Sequence, residues 1–417
     1  MARDVATSHV HRGRGMQGEV AHASNGQSPP APGSALDVAD DLARAFAATA
    51  VARDKRGGTP KEERDRLRRS GLLSLSVPAS LGGWGAPWPV VLEAVRRIAR
   101  ADSAVAHVFG FHHLMLATLR LFGSADQASR LQAATVAERW FWGNALNPLD
   151  ARARLVRRGD GLAVRGAKSF CSGASDSDML IVSALDDATS KLVVAAIPTC
   201  RPGIRVLDDW DNMGQRQTDS GTVELDDVEV RADELLTTPG PLGSPFASLR
   251  PCLAQLVLVN VYLGIAEGAF EEARRYAGTP RRPWIAAKGT PATEDPYVLL
   301  RYGDLWLALE GARLLADRAG AAFQAAWEQG DRLSPEQRGG CAIAVAAAKV
   351  ATSRAGLEIT NGMFEVMGAN ATAASAGMDR FWRNLRTHTL HDPVDYKSRE
   401  LGAYALNGAI PEPSFYS

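Results

Sequence analysis

Histidine titrates nearer neutral pH than any other side chain, and the histidines of this sequence are unevenly distributed. The chain has eight, of which three lie in a seven-residue window and two near the C-terminus. Such groups suit either a metal site or proton transfer. We expect no metal, because adjacent histidines point about 100° apart on a helix and neither an HExxH motif nor a carboxylate at ligand spacing accompanies them. The histidines beyond residue 22 are His107, His112, His113, His388 and His391.

The two C-terminal histidines lie in the segment MDRFWRNLRTHTLHDPVDYK. Phe381, Leu385 and His388 recur at helical spacing and share one face of a helix. Pro393 disfavours helical geometry in the residue before it, so the helix is expected to end near His391. The negative end of a helix favours a protonated imidazole, whereas burial opposes protonation. His391 is therefore a candidate proton donor or acceptor, with a C-terminal helix cap as the alternative.

Three further segments could contribute to a ligand site. His107 and Phe111 lie four residues apart on a predicted helix and form either a core stripe or a pocket wall. The segment KSFCSGA, residues 168–174, leads through small polar groups into a glycine, which could bring a hydroxyl and backbone N–H groups against a planar ligand. A plain β-hairpin is the alternative there. Arg281 and Arg282 precede a Pro-Trp pair and could bind a phosphate or form a solvated face.

The composition restricts the class of protein. The 47 basic side chains balance 47 acidic ones, so the formal net charge is +0, and no global charge favours nucleic acid or an anionic membrane. Hydrophobic residues make up 46% and charged residues 23%, which is typical of a globular protein. The four cysteines contain no CxxC pair, and we expect a reduced, cytoplasmic protein.

The hydrophobic periods divide the chain into four parts. Residues 1–34 are rich in Gly, Ser, Pro and His, a composition that predicts a disordered tail. The tail contains a GxGxxG sequence, but no strand precedes it and no helix follows it, so we reject it as a nucleotide-binding motif. Residues 35–146 show helical periods, residues 147–250 form short β-branched runs separated by turns, and residues 251–417 return to long helices. The first of these C-terminal helices contains Gln255, Asn260 and Glu267, so it has no uninterrupted apolar span of membrane length. The expected fold class is α+β.

Several motifs carry a resemblance to a known family. The stretches RRSGLLSLSVPASLGGWG (68–85), VRGAKSFCSGA (164–174) and NMGQRQTDSGTVELDDVEV (212–230) resemble the acyl-CoA dehydrogenase superfamily. Within it, LVNVYLGIAEGA (258–269), TEDPY (293–297) and DRFWRNLRTHTLHDP are most similar to flavin-dependent monooxygenases of the dibenzothiophene monooxygenase type. The resemblance implies an N-terminal α-helical domain, a central antiparallel β domain and a C-terminal four-helix bundle.

The resemblance also implies a reaction. Acyl-CoA dehydrogenases need a carboxylate base, often a Glu after the Arg-rich C-terminal helix, and the corresponding RTHTLHDP contains none. The monooxygenase branch implies a two-component system, in which a separate NAD(P)H:flavin reductase supplies reduced flavin and O2 then gives a C4a-hydroperoxyflavin. Its distal oxygen is transferred to an electron-rich aromatic heterocycle, at sulfur or on an indole-type ring. An acyl-CoA dehydrogenase and a non-catalytic flavin-binding protein remain the alternatives.

The matching positions imply roles for single residues. His391 would assist peroxide formation and proton delivery, while Asn144 and Ser172 would face the reactive edge of the flavin ring. His107, Phe111 and His388 would line the substrate pocket, with Phe111 standing where a tyrosine is found in the dibenzothiophene enzymes. The implied flavin contacts are Asn144, Cys171, Ser172, Trp210, Arg282, Gly368 and Asn370.

Part of the flavin site is implied to come from another subunit. Gly368 and Asn370 match a phosphate-side loop of a neighbouring protomer, so a homotetramer is expected. Asn370 stands where an arginine is found, which leaves FMN and FAD both open.

Overall fold

The computed structural model describes residues 32–279 and 284–417. Most of the predicted tail and the Arg281-Arg282 pair therefore lie outside the described residues. The first helix begins at Pro32, two residues before the predicted end of the tail.

Five helices form the N-terminal part, as the apolar periods predict. Helix α2 ends at Gly71, whose φ of 78° is the left-handed conformation that glycine adopts without strain. Helix α4 starts where the Asp102 carboxylate accepts hydrogen bonds from the Ala104 and Val105 N–H groups at 3.1 and 3.0 Å. The helices are α1 (Pro32–Arg56), α2 (Lys61–Ser70), α3 (Trp88–Ala101), α4 (Ser103–Phe122) and α5 (Ala125–Glu138).

The middle part is one seven-stranded sheet. The expected turn at Gly159-Asp160 joins β2 and β3, which pair antiparallel up to Arg158 and Gly161. Most pairings are antiparallel as expected, but β1 and β2 both pair parallel with β4, so the sheet is mixed. Strand β1 pairs with residues 179–182 of β4, and β2 pairs with residues 185–186 further along the same strand. Residues 146–153 connect β1 and β2 as a loop, so the two strands do not form a hairpin with each other. The strands are β1 (Trp142–Ala145), β2 (Arg154–Arg158), β3 (Gly161–Lys168), β4 (Met179–Asp186), β5 (Leu192–Pro198), β6 (Ile204–Val206) and β7 (Val223–Val230).

Five helices form the C-terminal part, with α6 at the centre of the molecule. Helix α6 packs against α7 and α8 and also against α3 and α4 of the N-terminal part. The approach to α3 is close: a Cβ on Gly264 would lie 2.5 Å from the Arg96 carbonyl oxygen, so only glycine fits. Helix α10 packs on α8, which itself packs on α6 and α7. The helices are α6 (Leu249–Ala277), α7 (Pro296–Gln329), α8 (Pro335–Met367), α9 (Asp379–Thr389) and α10 (Val394–Asn407).

Helices α4 and α6 are long and apolar enough to cross a membrane by composition alone. In the fold, however, 94% of the apolar window of α4 and 89% of that of α6 are buried inside the protein. Their apolar surface is therefore covered by neighbouring helices, as in the core of a folded domain.

Candidate active site

A cavity of about 830 Å³ lies where the helical parts meet the β domain. Its volume falls within the range of about 300–1,000 Å³ that is usual for sites holding small molecules and cofactors. Helix α4, strand β1 and its following loop, the start of α6 and the segment after α9 all contribute to its wall. Seven of the residues predicted from the sequence line it: His107, Phe111, Asn144, Ser172, Trp210, His388 and His391.

Three other predicted flavin contacts do not line this cavity, and a fourth cannot be placed. The Cys171 side chain is buried in the β domain, where its Sγ lies 3.3 Å from the Lys168 carbonyl oxygen and burial raises the pKa of the thiol to about 12. Gly368 and Asn370 are exposed on the turn that follows α8. Arg282 lies outside the described residues.

The aromatic wall of the cavity is built from α4 and α9. The rings of His107 and Phe111 are stacked with centroids 4.1 Å apart, and the His388 ring lies 4.7 Å from that of His107. Burial lowers the pKa of His107 to about 3 and holds the pKa of His388 well below its usual value. Both imidazoles are therefore neutral near pH 7, and this wall carries no charge.

A chain of hydrogen bonds runs from His107 through three hydroxyl groups. It passes from His107 Nε2 to Ser172 Oγ (3.0 Å), on to Ser220 Oγ (2.8 Å), Thr218 Oγ1 (2.8 Å) and the Gln215 carbonyl oxygen (2.9 Å). A carbonyl can only accept, so Thr218 donates to it, Ser220 donates to Thr218 and Ser172 donates to Ser220. His107 must then donate its Nε2–H to Ser172.

This ordering decides what Ser172 can offer a ligand. Its hydroxyl proton and one lone pair are already used, which leaves one lone pair to accept a hydrogen bond from a ligand N–H. Asn144 lies next to it, since the Asn144 N–H donates to the Ser172 carbonyl at 3.0 Å. The Asn144 Oδ1 accepts from the Leu146 N–H at 3.2 Å, and its amide nitrogen has no acceptor among the described residues. Ser172 thus presents an acceptor to the cavity, and Asn144 can present a donor.

His391 forms a hydrogen bond with Asp392, which belongs to a buried ion pair with Lys349. Helix α9 ends at Thr389, so His391 lies just past the helix terminus, close to the predicted end. Its Nδ1 lies 2.9 Å from Asp392 Oδ1, and the same carboxylate binds Lys349 Nζ at 3.3 Å and Gln255 Nε2 at 3.1 Å. A carboxylate accepts hydrogen bonds, so Nδ1 carries the proton and Nε2 remains for a ligand.

The electrostatics of this pair favour the ionised carboxylate. Burial raises the pKa of Asp392, but the hydrogen bond from His391 and the charge of Lys349 outweigh it and hold that pKa below its usual value. Burial lowers the pKa of Lys349, which the Asp392 charge opposes. Lys349 also donates to the Tyr262 hydroxyl at 3.1 Å, and Tyr262 donates to the His388 carbonyl at 2.7 Å. The ion pair therefore also anchors the end of α9.

The cavity suits the ring system of a reduced flavin. Ser172 can accept from a ring N–H, Asn144 can donate to a ring oxygen, and Trp210 and Phe170 form an aromatic edge with centroids 6.0 Å apart. Its carboxylates are Asp150 and Asp211, and no glutamate lines it within the described part of the chain. The glutamate that often serves as the base of a dehydrogenase is thus missing from the described part of this wall. Across residues 32–279 and 284–417, no cluster of three or more His, Cys, Asp or Glu is suited to a metal ion.

Comparison with known proteins identifies the family of the chain. The acyl-CoA dehydrogenase N-terminal, middle and C-terminal domains match residues 36–138, 143–228 and 256–396. A probable FMNH2-dependent monooxygenase of Pseudomonas putida, SfnC, is 57% identical over 94% of this chain and 98% of its own.

Two solved structures are also similar. The methanesulfinate monooxygenase MsuC of Pseudomonas fluorescens is 56% identical and superimposes with a TM-score of 0.90 over 92% of this chain and 99% of its own. The dibenzothiophene monooxygenase TdsC of Paenibacillus sp. A11-2, in complex with FMN and indole, is 44% identical with a TM-score of 0.88, over 92% of this chain and 100% of its own. The resemblance and the fold inferred from the sequence are confirmed. This chain belongs to the acyl-CoA dehydrogenase family, within its branch of flavin-dependent monooxygenases.

Proposed function

We propose that this protein is the oxygenase component of a two-component system. It takes reduced flavin from a separate NAD(P)H:flavin reductase and uses O2 to oxygenate a substrate at an electron-rich sulfur or aromatic carbon. The proposal rests on one observation: Ser172, Asn144 and His391 all line one cavity, and no glutamate lines it among the described residues. Relatives named for FMNH2 or solved with FMN support FMN as the flavin.

The side chains have separate tasks in this reaction. Bound reduced flavin supplies the two electrons with which one atom of O2 is reduced to water while the other is transferred. Ser172 accepts a hydrogen bond from the ring, and its position is fixed by His107 and Ser220. His391 holds or moves a proton at Nε2, because Asp392 occupies Nδ1. Phe111 and Leu114 contribute apolar wall that excludes water.

The substrate class follows from the cavity and the relatives. Similar proteins are named for methanesulfinate and dibenzothiophene, and one was solved with indole bound. All three offer an electron-rich sulfur or aromatic carbon. The rings of Phe111, Phe415 and His107 supply a surface for an aromatic or alkyl group.

Labelled oxygen tests the proposal. The protein is supplied with FMN, a flavin reductase and NADH under ¹⁸O2, with indole, dibenzothiophene and an alkyl sulfide as separate substrates, and products are analysed by mass spectrometry. One ¹⁸O atom in a product is expected. Hydrogen peroxide alone with all substrates would contradict the proposal.

Two rival functions give different results. Bleaching of bound oxidised flavin on addition of an acyl-CoA would indicate a dehydrogenase. Flavin binding without any oxygenated product in the wild type would indicate a protein that only binds flavin. An unchanged product yield in a His391→Ala variant would show that His391 has no part in the reaction.

We also propose that the protein is a homotetramer in the cytoplasm. Leu300, Leu307 and Leu314 recur every seven residues along α7 and are 66%, 68% and 69% exposed. Such a regular apolar stripe favours packing against a helix of another copy. The exposed Gly368 and Asn370 are then available to a flavin phosphate in a neighbouring protomer's site, as the resemblance implies.

A further inference from the structure

The hydroxyl chain behind Ser172 ends at a backbone carbonyl that is held on several sides. The Gln215 carbonyl oxygen accepts hydrogen bonds from Thr218 Oγ1 and from the indole Nε1–H of Trp210, both at 2.9 Å. The Gln215 N–H donates to Asn384 Oδ1 at 2.7 Å, and the Gln215 side-chain amide donates to the Asn384 carbonyl at 3.2 Å. Gln215 is itself buried. These contacts fix the end of the chain between the β domain and α9.

The carbonyl at its end gives the whole chain one direction. Because Thr218 donates to the carbonyl and Ser220 donates to Thr218, the Ser220 proton is not available to Ser172. The Ser172 and Ser220 oxygens are 2.8 Å apart, a distance that requires a proton between them, so Ser172 supplies it. His107 agrees with this order: its buried Nδ1 has no partner among the described residues and can remain a lone pair while Nε2–H donates to Ser172.

Burial keeps the chain in this direction. The side chains of His107, Ser172, Thr218 and Ser220 are all buried, so water does not offer them other partners. If the Ser172 hydroxyl alone turned away from Ser220, two oxygen lone pairs would face each other at 2.8 Å. The Ser172 hydroxyl therefore offers the cavity an acceptor and not a donor.

A flavin ring changes its hydrogen-bonding character at nitrogen N5 with its oxidation state. Reduced FMN carries a hydrogen on N5 and donates from it, whereas oxidised FMN has only a lone pair there and accepts. An acceptor that is fixed opposite N5 is therefore complementary to the reduced ring. Against the oxidised ring, two lone pairs face each other and neither finds a donor.

We propose that Ser220 and Thr218 are positioning residues that make the site select reduced over oxidised FMN, through the direction that they impose on the Ser172 hydroxyl. The inference rests on the proposed function, in which the flavin ring binds beside Ser172. The Asn144 amide, assigned to a ring oxygen, meets an acceptor in both oxidation states and does not discriminate between them. Such selection suits an oxygenase supplied by a separate reductase, because reduced FMN is captured and oxidised FMN is released after each turnover.

Equilibrium binding of the two oxidation states tests the hydroxyl chain without turnover. Oxidised FMN, and reduced FMN without oxygen, are titrated calorimetrically into the wild type, Ser220→Ala and Thr218→Val. Either substitution removes an acceptor from the chain, so the Ser172 proton can turn to N5 of oxidised FMN. The ratio of the dissociation constants, oxidised over reduced, is expected to fall about 3- to 10-fold, the size of one net hydrogen bond. A tenfold fall lowers the two-electron midpoint potential of bound FMN by about 30 mV.

Conservative and distant variants separate the direction of the chain from damage to the fold. Thr218→Ser keeps the hydroxyl and is expected to keep the wild-type ratio. Thr352→Val removes a buried hydroxyl that donates to a carbonyl at 2.8 Å within α8, away from the cavity wall, and should leave the ratio unchanged. Thermal unfolding checks that each variant is folded.

Oxidised 5-deaza-FMN tests the contact at N5 itself, because it carries a C–H group in place of that nitrogen. The wild type should bind it more tightly than oxidised FMN, since no ring lone pair then faces Ser172. Ser220→Ala should lose this difference, because its free Ser172 proton binds N5 of FMN and finds no acceptor on the deaza ring.

Several outcomes would overturn the inference. These are equal affinity of the wild type for oxidised and reduced FMN, an unchanged ratio in Ser220→Ala and Thr218→Val, or tighter binding of oxidised FMN than of 5-deaza-FMN by the wild type. An equal gain of affinity for FMN and 5-deaza-FMN in Ser220→Ala would also overturn it, and would assign Ser220 a packing role.

Turnover under ¹⁸O2 separates this inference from the proposed function. Labelled product from the wild type, together with a lower ratio in both variants, supports both proposals. Labelled product with an unchanged ratio refutes the positioning role and leaves the oxygenase. A lower ratio without labelled product from any substrate refutes the oxygenase and leaves the selection of reduced FMN. Failure of the wild type to bind either form of FMN refutes both.

Discussion

Replacement of Asp392 by asparagine removes one charge from behind the active site while keeping the volume of the side chain. Asp392 is 9% exposed and faces Lys349, which is 1% exposed, at 3.3 Å. Removal of one partner of a buried ion pair costs about 3–5 kcal/mol, because the other charge stays in a medium that solvates it poorly. We expect Asp392→Asn to lower the free energy of unfolding by about 3 kcal/mol, the lower end, since the amide still offers an oxygen to hydrogen-bond.

A double-mutant cycle separates the charge from the packing. Lys349→Met removes the cation, so the double variant Lys349→Met/Asp392→Asn contains no stranded charge. It is expected to be more stable than Asp392→Asn alone, because a buried pair replaced by neutral groups costs little. Urea unfolding followed by tryptophan fluorescence gives the four stabilities. Additive losses, or a single variant as stable as the wild type, would refute the reasoning.

The same variant has a pH signature. Asp392 has a lower pKa in the folded protein than in the unfolded chain, where it is about 3.9. Its contribution to stability is therefore fully present above pH 4 to 5 and is lost as the pH falls toward the folded pKa. Asp392→Asn should lack this part of the acid destabilisation. An identical fall of stability below pH 4 in both proteins would contradict the assigned pKa direction.

A third readout concerns His391. An asparagine can turn either its oxygen or its nitrogen to Nδ1, so the tautomer is no longer fixed. The expected result is a lower kcat for oxygenation, by at most the roughly 10²–10⁴-fold that a positioned proton carrier contributes. An unchanged kcat and pH profile in a folded Asp392→Asn protein would show that Asp392 does not position His391.

Further predictions concern the hydroxyl chain, the buried imidazole and the helix stripe. Ser172→Ala should lower the yield of oxygenated product per reduced flavin, measured against the peroxide released. The control Ser183→Ala should leave this yield unchanged, because the buried Ser183 hydroxyl has no partner among the described residues. Equal yields in the two variants would show that Ser172 has only a structural role. Burial lowers the pKa of His107 to about 3, below about 6.5 in the unfolded chain, so wild-type stability should fall as the pH drops between these values. His107→Gln should flatten that slope in urea titrations, and an unchanged slope would contradict it. Leu307→Asp should dissociate the oligomer in light scattering, and an intact tetramer would place the interface elsewhere.

Local patterns in the sequence were sufficient to predict the fold class. The apolar periods and the Gly71 stop correspond to helices of the structure, and the Gly159-Asp160 turn joins two strands as expected. The parallel pairing of β1 and β2 with β4 was not predicted. The partner of a strand is set by distant parts of the chain, and short β-branched runs look alike in parallel and antiparallel pairs.

The residues proposed for the site could be named from the sequence only where a motif contained them. His391, Ser172 and Asn144 were found through the resemblance, and all three line the cavity. The hydroxyl that fixes Ser172 belongs to Ser220, 48 residues further along the chain, so their hydrogen bond requires the folded sheet. Arg250, which also lines the cavity, gave no signal, because a single arginine before a proline is common and the lack of an acidic partner is a property of the folded cavity.

The net charge of the chain is zero, but the charges around the cavity are unevenly distributed. The groups expected around the flavin are hydroxyls, an amide and neutral imidazoles, and the Lys349–Asp392 pair beyond the wall adds no net charge. Arg250 lines the same cavity, is only 6% exposed and has no carboxylate within ion-pair distance among the described residues, so it is a buried charge that a ligand in the cavity would meet. Two opposite unit charges about 4 Å apart interact by about 4 kcal/mol at an effective dielectric constant of 20, against about 1 kcal/mol in water. An anionic group of a bound ligand would therefore be held more strongly beside Arg250 than a neutral one, and Arg250→Met should weaken the binding of an anionic ligand more than that of a neutral ligand.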